Sequence, residues 1–438
     1  MRKNIQSNKS LNMKLLSRGV TLLMTCLLLS CLGLQALADD WTGFLGPGAS
    51  SVAANAVLPK VIDDSTNVAW KIPLPAKGAS SPIVVGDNVI VTCSGGVADK
   101  QDEIMVLCVD KNSGKKKWEQ KFWATGRCFC HPLSANAAPT PATDGERIFA
   151  FFSSNDIACL DMQGNLLWYR GLAADRPKAG NDVGMSSSPV VIDGVVVVQV
   201  ENQGDSFAAG LDAQTGETIW TQDRSRKAVW ASPLPFKTRE GKGLVLMQSA
   251  DKIEVLDPKT GNVNFKQEGD VSTVSSACIV DDTIFAPIDG TSTFTVASDG
   301  KIEQKWNQGK IKAGSPSYQV YDKSIFTCNS KGILKVWDRE SGKLTKQSRI
   351  DGSYWATPVI ADGHLYCFGS DGVFRLVNLH LDNDENPEVV HKFEFKAPVA
   401  DGSDAAEAKG EVFLGSLAVS ENAMYVRSNN FLWKFAEK

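Results

Sequence analysis

From Asn67 to Lys438 the chain alternates short apolar runs, rich in Val and Ile, with polar turns. Apolar positions recur at every second residue, the side-chain period of a strand, and very little of the chain shows the 3.6-residue period of a helix. One stretch sets the pattern. In Leu211–Trp220 (LDAQTGETIW) Leu-Asp closes a strand, Thr-Gly makes a tight turn and Trp sits on the next strand. The turn needs Gly for positive φ, while Asp and Thr satisfy turn backbone groups with their side-chain oxygens. Variants stand at Val109–Trp118, Leu160–Trp168, Leu256–Phe265 and Val336–Lys346, with a degenerate copy through Ala297–Trp306.

A second element is Ser/Thr-Pro followed by an apolar run and an Asp-Gly-like turn. It recurs at Ser81-Pro82, Thr140-Pro141, Ser188-Pro189, Ser232-Pro233, Ser315-Pro316 and Thr357-Pro358, and more weakly at Ser276-Ala277 and Ser416-Leu417. Each unit then reads as four strands: one after Ser/Thr-Pro, one after the Asp-Gly turn, one ending at Leu-Asp and one carrying Trp. Eight such units, repeating about every 40 residues, predict an all-β, eight-bladed β-propeller of four-stranded blades.

The chain ends predict how the ring closes. The last unit supplies Leu417–Ser420, Met424–Arg427 and Phe431–Phe435 and stops one strand short, while Asn67–Ile72, carrying Trp70, is a strand with no partner of its own. The N-terminal strand is therefore expected to complete the last blade, which removes an exposed edge. Residues 67–438 are assigned to the propeller. Asp39–Thr66, with Trp41 and Phe44, is assigned to a leader segment expected to lie over the outside.

Trp70, Trp118, Trp168, Trp220 and Trp306, with Phe265 as a substitute, occupy comparable fourth-strand positions. A Trp there is suited to wedging against the next blade and pairing its indole N–H with a backbone carbonyl. The Ala/Leu-x-Asp-x-x-Thr-Gly-x-x-x-Trp repeat resembles that of the pyrroloquinoline-quinone (PQQ)-type propellers. That family includes quinoprotein dehydrogenases and the non-enzymatic propeller lipoprotein of the outer-membrane β-barrel assembly machinery. The resemblance covers about Asn67 to Lys438. It implies the fold, and for activity it leaves both a quinoprotein and a non-catalytic scaffold open.

The first 38 residues read as a signal peptide. Arg2, Lys3, Lys9, Lys14 and Arg18 form a basic leader, Val20–Leu34 is an apolar core, and Ala36-Leu37-Ala38 fits cleavage before Asp39. The alternative is a loose lipobox at Leu28-Leu29-Ser30-Cys31, which would leave the protein lipid-anchored at Cys31 in the periplasm or cell envelope. No second apolar run is long enough to span a bilayer. Without those five cations, 41 of the chain's 46 Lys and Arg remain against 50 Asp and Glu. This mildly acidic balance, with no Lys/Arg run, argues against a nucleic-acid partner. A monomeric propeller is expected.

Eight cysteines follow the signal segment. Cys108 and Cys159 fall at equivalent repeat positions, as do Cys93 and Cys328, so buried thiols are expected, with a bridge such as Cys93 to Cys108 as the alternative. In Arg127-Cys128-Phe129-Cys130-His131 the spacing is not that of a haem attachment site, and Cys128, Cys130 and His131 supply only three metal ligands. His364, His380 and His391 read as surface or packing residues, and Asp382–Glu385 as a solvated acidic tip.

Loops alternate between the two faces of a propeller, and the long ones gather on one. Glu119–Pro139, Tyr169–Ser187 and Glu394–Gly415 between blades, and Ser94–Glu103 and Glu201–Ser206 within blades, open on the same face, the usual address of binding. Trp230 and Trp355 each stand three residues before their blade's Pro, where Ala79, Ala138, Ser186 or Ala313 stands elsewhere. They are expected at the channel mouth, and with Arg127 and His131 they form the candidate binding set. No nucleophile elbow, phosphate loop or His-Glu-x-x-His is present. The expectation is an exported, non-catalytic binding or scaffold propeller of the cell envelope that needs no cofactor. It would take an envelope protein or extended ligand on the long-loop face. The alternatives are a PQQ-dependent dehydrogenase using PQQ with calcium, although no vicinal Cys-Cys pair occurs, and a carbohydrate-binding propeller stacking sugars on Trp230 and Trp355.

Overall fold

Residues 40–180, 183–398 and 409–437 are described by a computed structural model; the signal segment 1–38 and the Cys31 alternative lie outside them. Eight four-stranded antiparallel sheets form the propeller. The first blade shows the order from channel to rim: Ile83–Val85, Asn88–Gly95, Glu103–Asp110 and Lys116–Trp123. In the last blade Val68–Pro73 lies outermost beside Phe431–Ala436, with Lys71 opposite Trp433, so the N-terminal strand closes the ring.

Burial explains the sequence pattern. Second and third strands meet neighbouring blades on both faces and read as continuous apolar runs: all of Val195–Val200 is buried. Fourth strands face solvent and alternate. In Thr218–Asp223 only Trp220 is buried.

The turns use the predicted chemistry. Asp193 and Gly194 both have positive φ (50° and 80°), as a two-residue turn matching strand twist requires. In the third-to-fourth turn the Asp212 carboxylate accepts the Gln214 and Thr215 N–H groups at 2.9 and 2.8 Å. The Thr215 N–H, foremost, holds that carboxyl below the usual range. A bulge follows, and it sets Trp220 opposite Gly210.

The Ser/Thr of the Ser/Thr-Pro element has a structural role. Each backbone N–H there donates to the hydroxyl of the next blade: Ser81 to Thr140, Thr140 to Ser188, Ser188 to Ser232, and Ser232 to Ser276, all at 2.9–3.0 Å. The series continues from Ser276 to Ser317, Ser317 to Thr357 and Thr357 to Ser416, each at 2.9 Å. This buried relay stitches blade to blade around the channel. It also corrects the register of the sixth unit. There the hydroxyl is Ser317 and Tyr318 stands where Pro stands elsewhere, two residues later than the Ser315-Pro316 reading. Thr140→Val keeps the shape but orphans the Ser81 N–H. The expected loss is about 1–3 kcal/mol of unfolding free energy by denaturant titration, with Ser315→Ala, outside the relay, near neutral.

The leader does not lie over the outside. It runs along the channel and belongs to the same compact unit as the ring. Trp41 exchanges N–H···O bonds with Val84 of the first blade's inner strand at 2.8 and 3.0 Å, and Thr42 O accepts Thr143 N–H. Leu45 and Ala49 pack with Leu234 and Phe236 of the fourth blade, and Ser51 and Ala53 pair with Ile360 of the seventh. The chain then exits past Leu58, whose carbonyl accepts the Tyr366 hydroxyl at 3.1 Å. Gly46, at φ +67°, is required because a side chain there would meet the Trp41 ring.

All eight cysteines after the signal segment are free thiols. Cys93 lies opposite Met105 and Cys108 opposite Ile90, so those two are not bridged. Burial pushes the Cys108 and Cys159 thiols up to about 12, as befits small core side chains.

Candidate functional site

Inner strands start on the long-loop face, and the residues just ahead of them ring the channel mouth. Ala79, Ala138, Ser186, Trp230, Val274, Ser315, Trp355 and Leu414, one from each blade junction, all line one cavity of about 390 Å³. Ser315 takes this position in the sixth blade, not Ala313, as the corrected register requires. Relay hydroxyls of Ser81, Thr140, Ser188, Ser317, Thr357 and Ser416 lie deeper, and Phe44 of the leader also lines the space. The leader thus turns a through-channel into a pocket opening toward the long loops.

Trp230 is fixed. Its indole N–H donates to Gly184 O at 2.8 Å and its backbone N–H to Thr273 O at 2.7 Å, so the ring is tied to two neighbouring junctions. The backbone leading to it is anchored by Arg224, a buried cation between the third and fourth blades. Arg224 Nε donates to Glu201 Oε1 at 2.8 Å, Nη1 to Glu254 and Nη2 to Ser249 Oγ at 2.8 Å, while Val229 N–H bonds Glu201 O. Burial raises the Glu201 carboxyl, with Arg224 opposing. For Glu254 burial pushes the same way, but Lys252 and Arg224 override it and pull the carboxyl below the usual range. Trp355 is the contrast: half of it is exposed, and among the described residues its indole has no hydrogen-bond partner. One Trp is a tethered wall and the other a half-exposed ring at the rim.

His131 lines the same cavity, with Nδ1 accepting the Leu133 N–H at 3.2 Å. In the neutral imidazole that leaves the proton on Nε2. Arg127 is not in the lining; its guanidinium lies 5.4 Å from the Phe129 ring. Among the described residues no three His, Cys, Asp or Glu side chains gather as a metal-holding set, so Cys128, Cys130 and His131 are not brought together as ligands.

The blade-docking aromatics fall into two groups. Trp70, Trp118, Trp168 and Trp220 donate their indole N–H to Lys111, Met162, Ala213 and Pro258 carbonyls at 2.7–3.1 Å. Each ring covers the turn glycine of the next blade: Gly114, Gly164, Gly216 and Gly261. Phe265 instead meets Phe294 edge-on at 5.4 Å, and Trp306 packs against the apolar cluster that includes Tyr318 and Val320. Lys346 and His391 stand in the Trp position of the last two junctions. Lys346 donates to His380 O and Asn383 O at 2.6 Å, and His391 Nε2 lies 2.8 Å from Ile62 O of the leader.

Eight radial four-stranded blades, stitched by hydroxyls and wedged by repeat Trp residues, define a β-propeller of the PQQ-like repeat class. The chain belongs to the family described as outer membrane protein assembly factor BamB, whose model matches residues 60–208 and 179–310. No curated protein sequence matches it. Among solved structures, it resembles BamB from Moraxella catarrhalis with 16% identity and a TM-score of 0.58, over 85% of this chain and 97% of that one. Quinohemoprotein alcohol dehydrogenase from Comamonas testosteroni aligns with 11% identity and a TM-score of 0.63, over 93% of this chain and 82% of that one. A europium-containing methanol dehydrogenase aligns with 11% identity and a TM-score of 0.62, over 92% and 99%. At these identities the structural likenesses establish the fold. No helix among the described residues is long and apolar enough to cross a membrane.

Proposed function

We propose that this chain is a non-catalytic binding propeller of the cell envelope, exported by its N-terminal segment, that docks a protein partner on the long-loop face. The observation that carries it is the distribution of exposed apolar side chains. Gly95, Glu103 and Trp123 stand side by side where the first blade meets the long-loop face. Val97 (81% exposed), Trp123 (68%), Leu133 (59%) and Phe129 (58%) stand on that blade and on the loop joining it to the second. Large apolar groups clustered on loops over a rigid frame are the mark of an interaction surface. Membership in a family described as an assembly factor favours a protein partner. Trp230, Trp355 and His131 line the cavity at the centre of the face, and Arg127 lies beside Phe129 on the adjoining loop.

The quinoprotein reading is disfavoured by the chemistry of the lining. PQQ carries carboxylates that need cationic partners, and among the described residues the cavity is lined by no Lys, Arg, Asp, Glu, Asn or Gln. Those residues do not fit the group. The same lack of carboxylates and amides disfavours a sugar, whose hydroxyls such side chains bind. The test is photo-crosslinking in the native cells from positions 123 and 129, with positions 239 and 382 on the opposite face as controls. A discrete protein adduct from the first pair alone is expected. Adducts from both faces, or from neither, would sink the proposal.

A further inference from the structure

We infer that the cavity at the channel mouth is a binding site for a small, uncharged, largely aromatic molecule. The inference rests on the reading of the channel mouth as a binding site and not on the identity of any protein partner. Three observations carry it. First, the space is a pocket rather than a pore, because the leader runs along the channel and Phe44 lines the pocket with the inner-strand residues. At about 390 Å³ it falls in the range of small-molecule sites, roughly 300–1,000 Å³, and exceeds what one inserted side chain would fill. Second, its lining is almost neutral: among the described residues His131 is its one titratable side chain, beside Trp230, Trp355, Met185, Leu414 and Val274. A charged ligand would leave water with nothing to pair with, and a polyol would leave most of its hydroxyls unsatisfied.

Third, the two indoles divide the work of capture. Trp230, pinned by Gly184 and Thr273, offers a pre-set flat face, and Trp355, half-exposed and untethered among the described residues, offers a second face to the ligand. Aromatic faces favour aromatic partners, adding roughly 0.5–1.5 kcal/mol beyond the area buried. The polar side chains left to recognise a hydroxyl or carbonyl on the ligand are the relay hydroxyls, most of whose oxygens already accept backbone N–H groups, the hydroxyls of Ser134, Ser186 and Ser315, and His131 Nε2–H at the rim. The ligand is therefore apolar over its faces and carries at most a neutral polar edge.

The experiment titrates the purified protein with 2-naphthol, its carboxylate counterpart 2-naphthoate and the neutral sugar cellobiose, following Trp fluorescence and heat. Saturable one-to-one binding of 2-naphthol is expected. So is at least about tenfold weaker binding of 2-naphthoate, because its charge must be desolvated, and no saturation by cellobiose. Trp355→Ala, at a half-exposed position, leaves the thermal midpoint in place and weakens 2-naphthol about tenfold. Leu344→Ala, on an outer strand, changes nothing. The inference is overturned if 2-naphthol fails to saturate, if 2-naphthoate or cellobiose binds as well, or if Trp355→Ala binds unchanged. Cross-linking at the rim with no naphthol binding would remove the ligand site and leave the docking reading intact.

Discussion

Arg224→Met should lower the unfolding free energy by about 3–5 kcal/mol at neutral pH, the range found when one partner of a buried ion pair is removed. Arg224 is the one cation shared by Glu201 and Glu254, and its side chain and that of Glu201 are essentially inaccessible to water. Methionine fills much of the volume but leaves Glu201 facing only Ser249 and Gln199. The pH dependence carries the diagnosis. Burial already raises the Glu201 carboxyl, and without Arg224 only the hydrogen bond from Ser249 opposes that. A carboxyl raised in the folded state favours folding below its unfolded value, about 4.3, and opposes it as pH rises through the folded value. The deficit should therefore be largest at pH 7 and shrink toward pH 4, where Glu201 is protonated in both states. A deficit independent of pH would mean that lost packing, and not the orphaned carboxylate, is responsible. Because the same cluster anchors Val229, the variant should also shift the emission of Trp230, whereas Lys252→Met at the edge of the cluster should not.

Most of the ring was legible in the sequence because each blade repeats the same local solutions. Asp-Gly turns, Leu-Asp-x-x-Thr-Gly turns and a fourth-strand aromatic are short-range features, and a short-range feature repeated in most of the blades marks its own period. The position three residues before each Pro pointed to the channel mouth for the same reason. What escaped was non-local or irregular. Ser315-Pro316-Ser317 offers two hydroxyls, and the proline drew attention to the wrong one; the relay needs the hydroxyl two residues before the strand, so Tyr318 replaces Pro at no cost to it. The leader escaped because Trp41–Ser51 has no periodicity. Its partners, from Val84 to Ile360, are supplied by the finished ring, and only its Gly46 and Gly48 hinted at close packing. The Arg224 cluster joins Glu201, Ser249 and Glu254, residues 23 to 30 positions from Arg224. Nothing in their local sequence distinguishes them from surface charges.

The repeat Trp residues should differ in what they contribute, although the sequence presents them as equivalent. Trp168 is buried, sits 6.0 Å from Phe149, donates to Ala213 O at 3.1 Å and covers Gly216. Trp168→Ala therefore opens a cavity and orphans that carbonyl, for an expected loss of about 3–5 kcal/mol by denaturant titration. Gly216→Ala attacks the same contact from the other side. Its φ of +73° disfavours a side chain, and the new Cβ would stand 2.6 Å from the indole. Trp306, partly exposed and without an indole bond to the next blade, should lose only roughly 1–2 kcal/mol on the same change. The double variant Trp168→Ala/Gly216→Ala should cost clearly less than the two single losses added, because the methyl group then enters the space the indole has left. Equal losses at Trp168 and Trp306, or strict additivity of the pair, would show that the fourth-strand aromatics stabilise their own blades. The predicted inequality instead makes the Trp–Gly contact the clamp between successive blades at the four junctions that carry it.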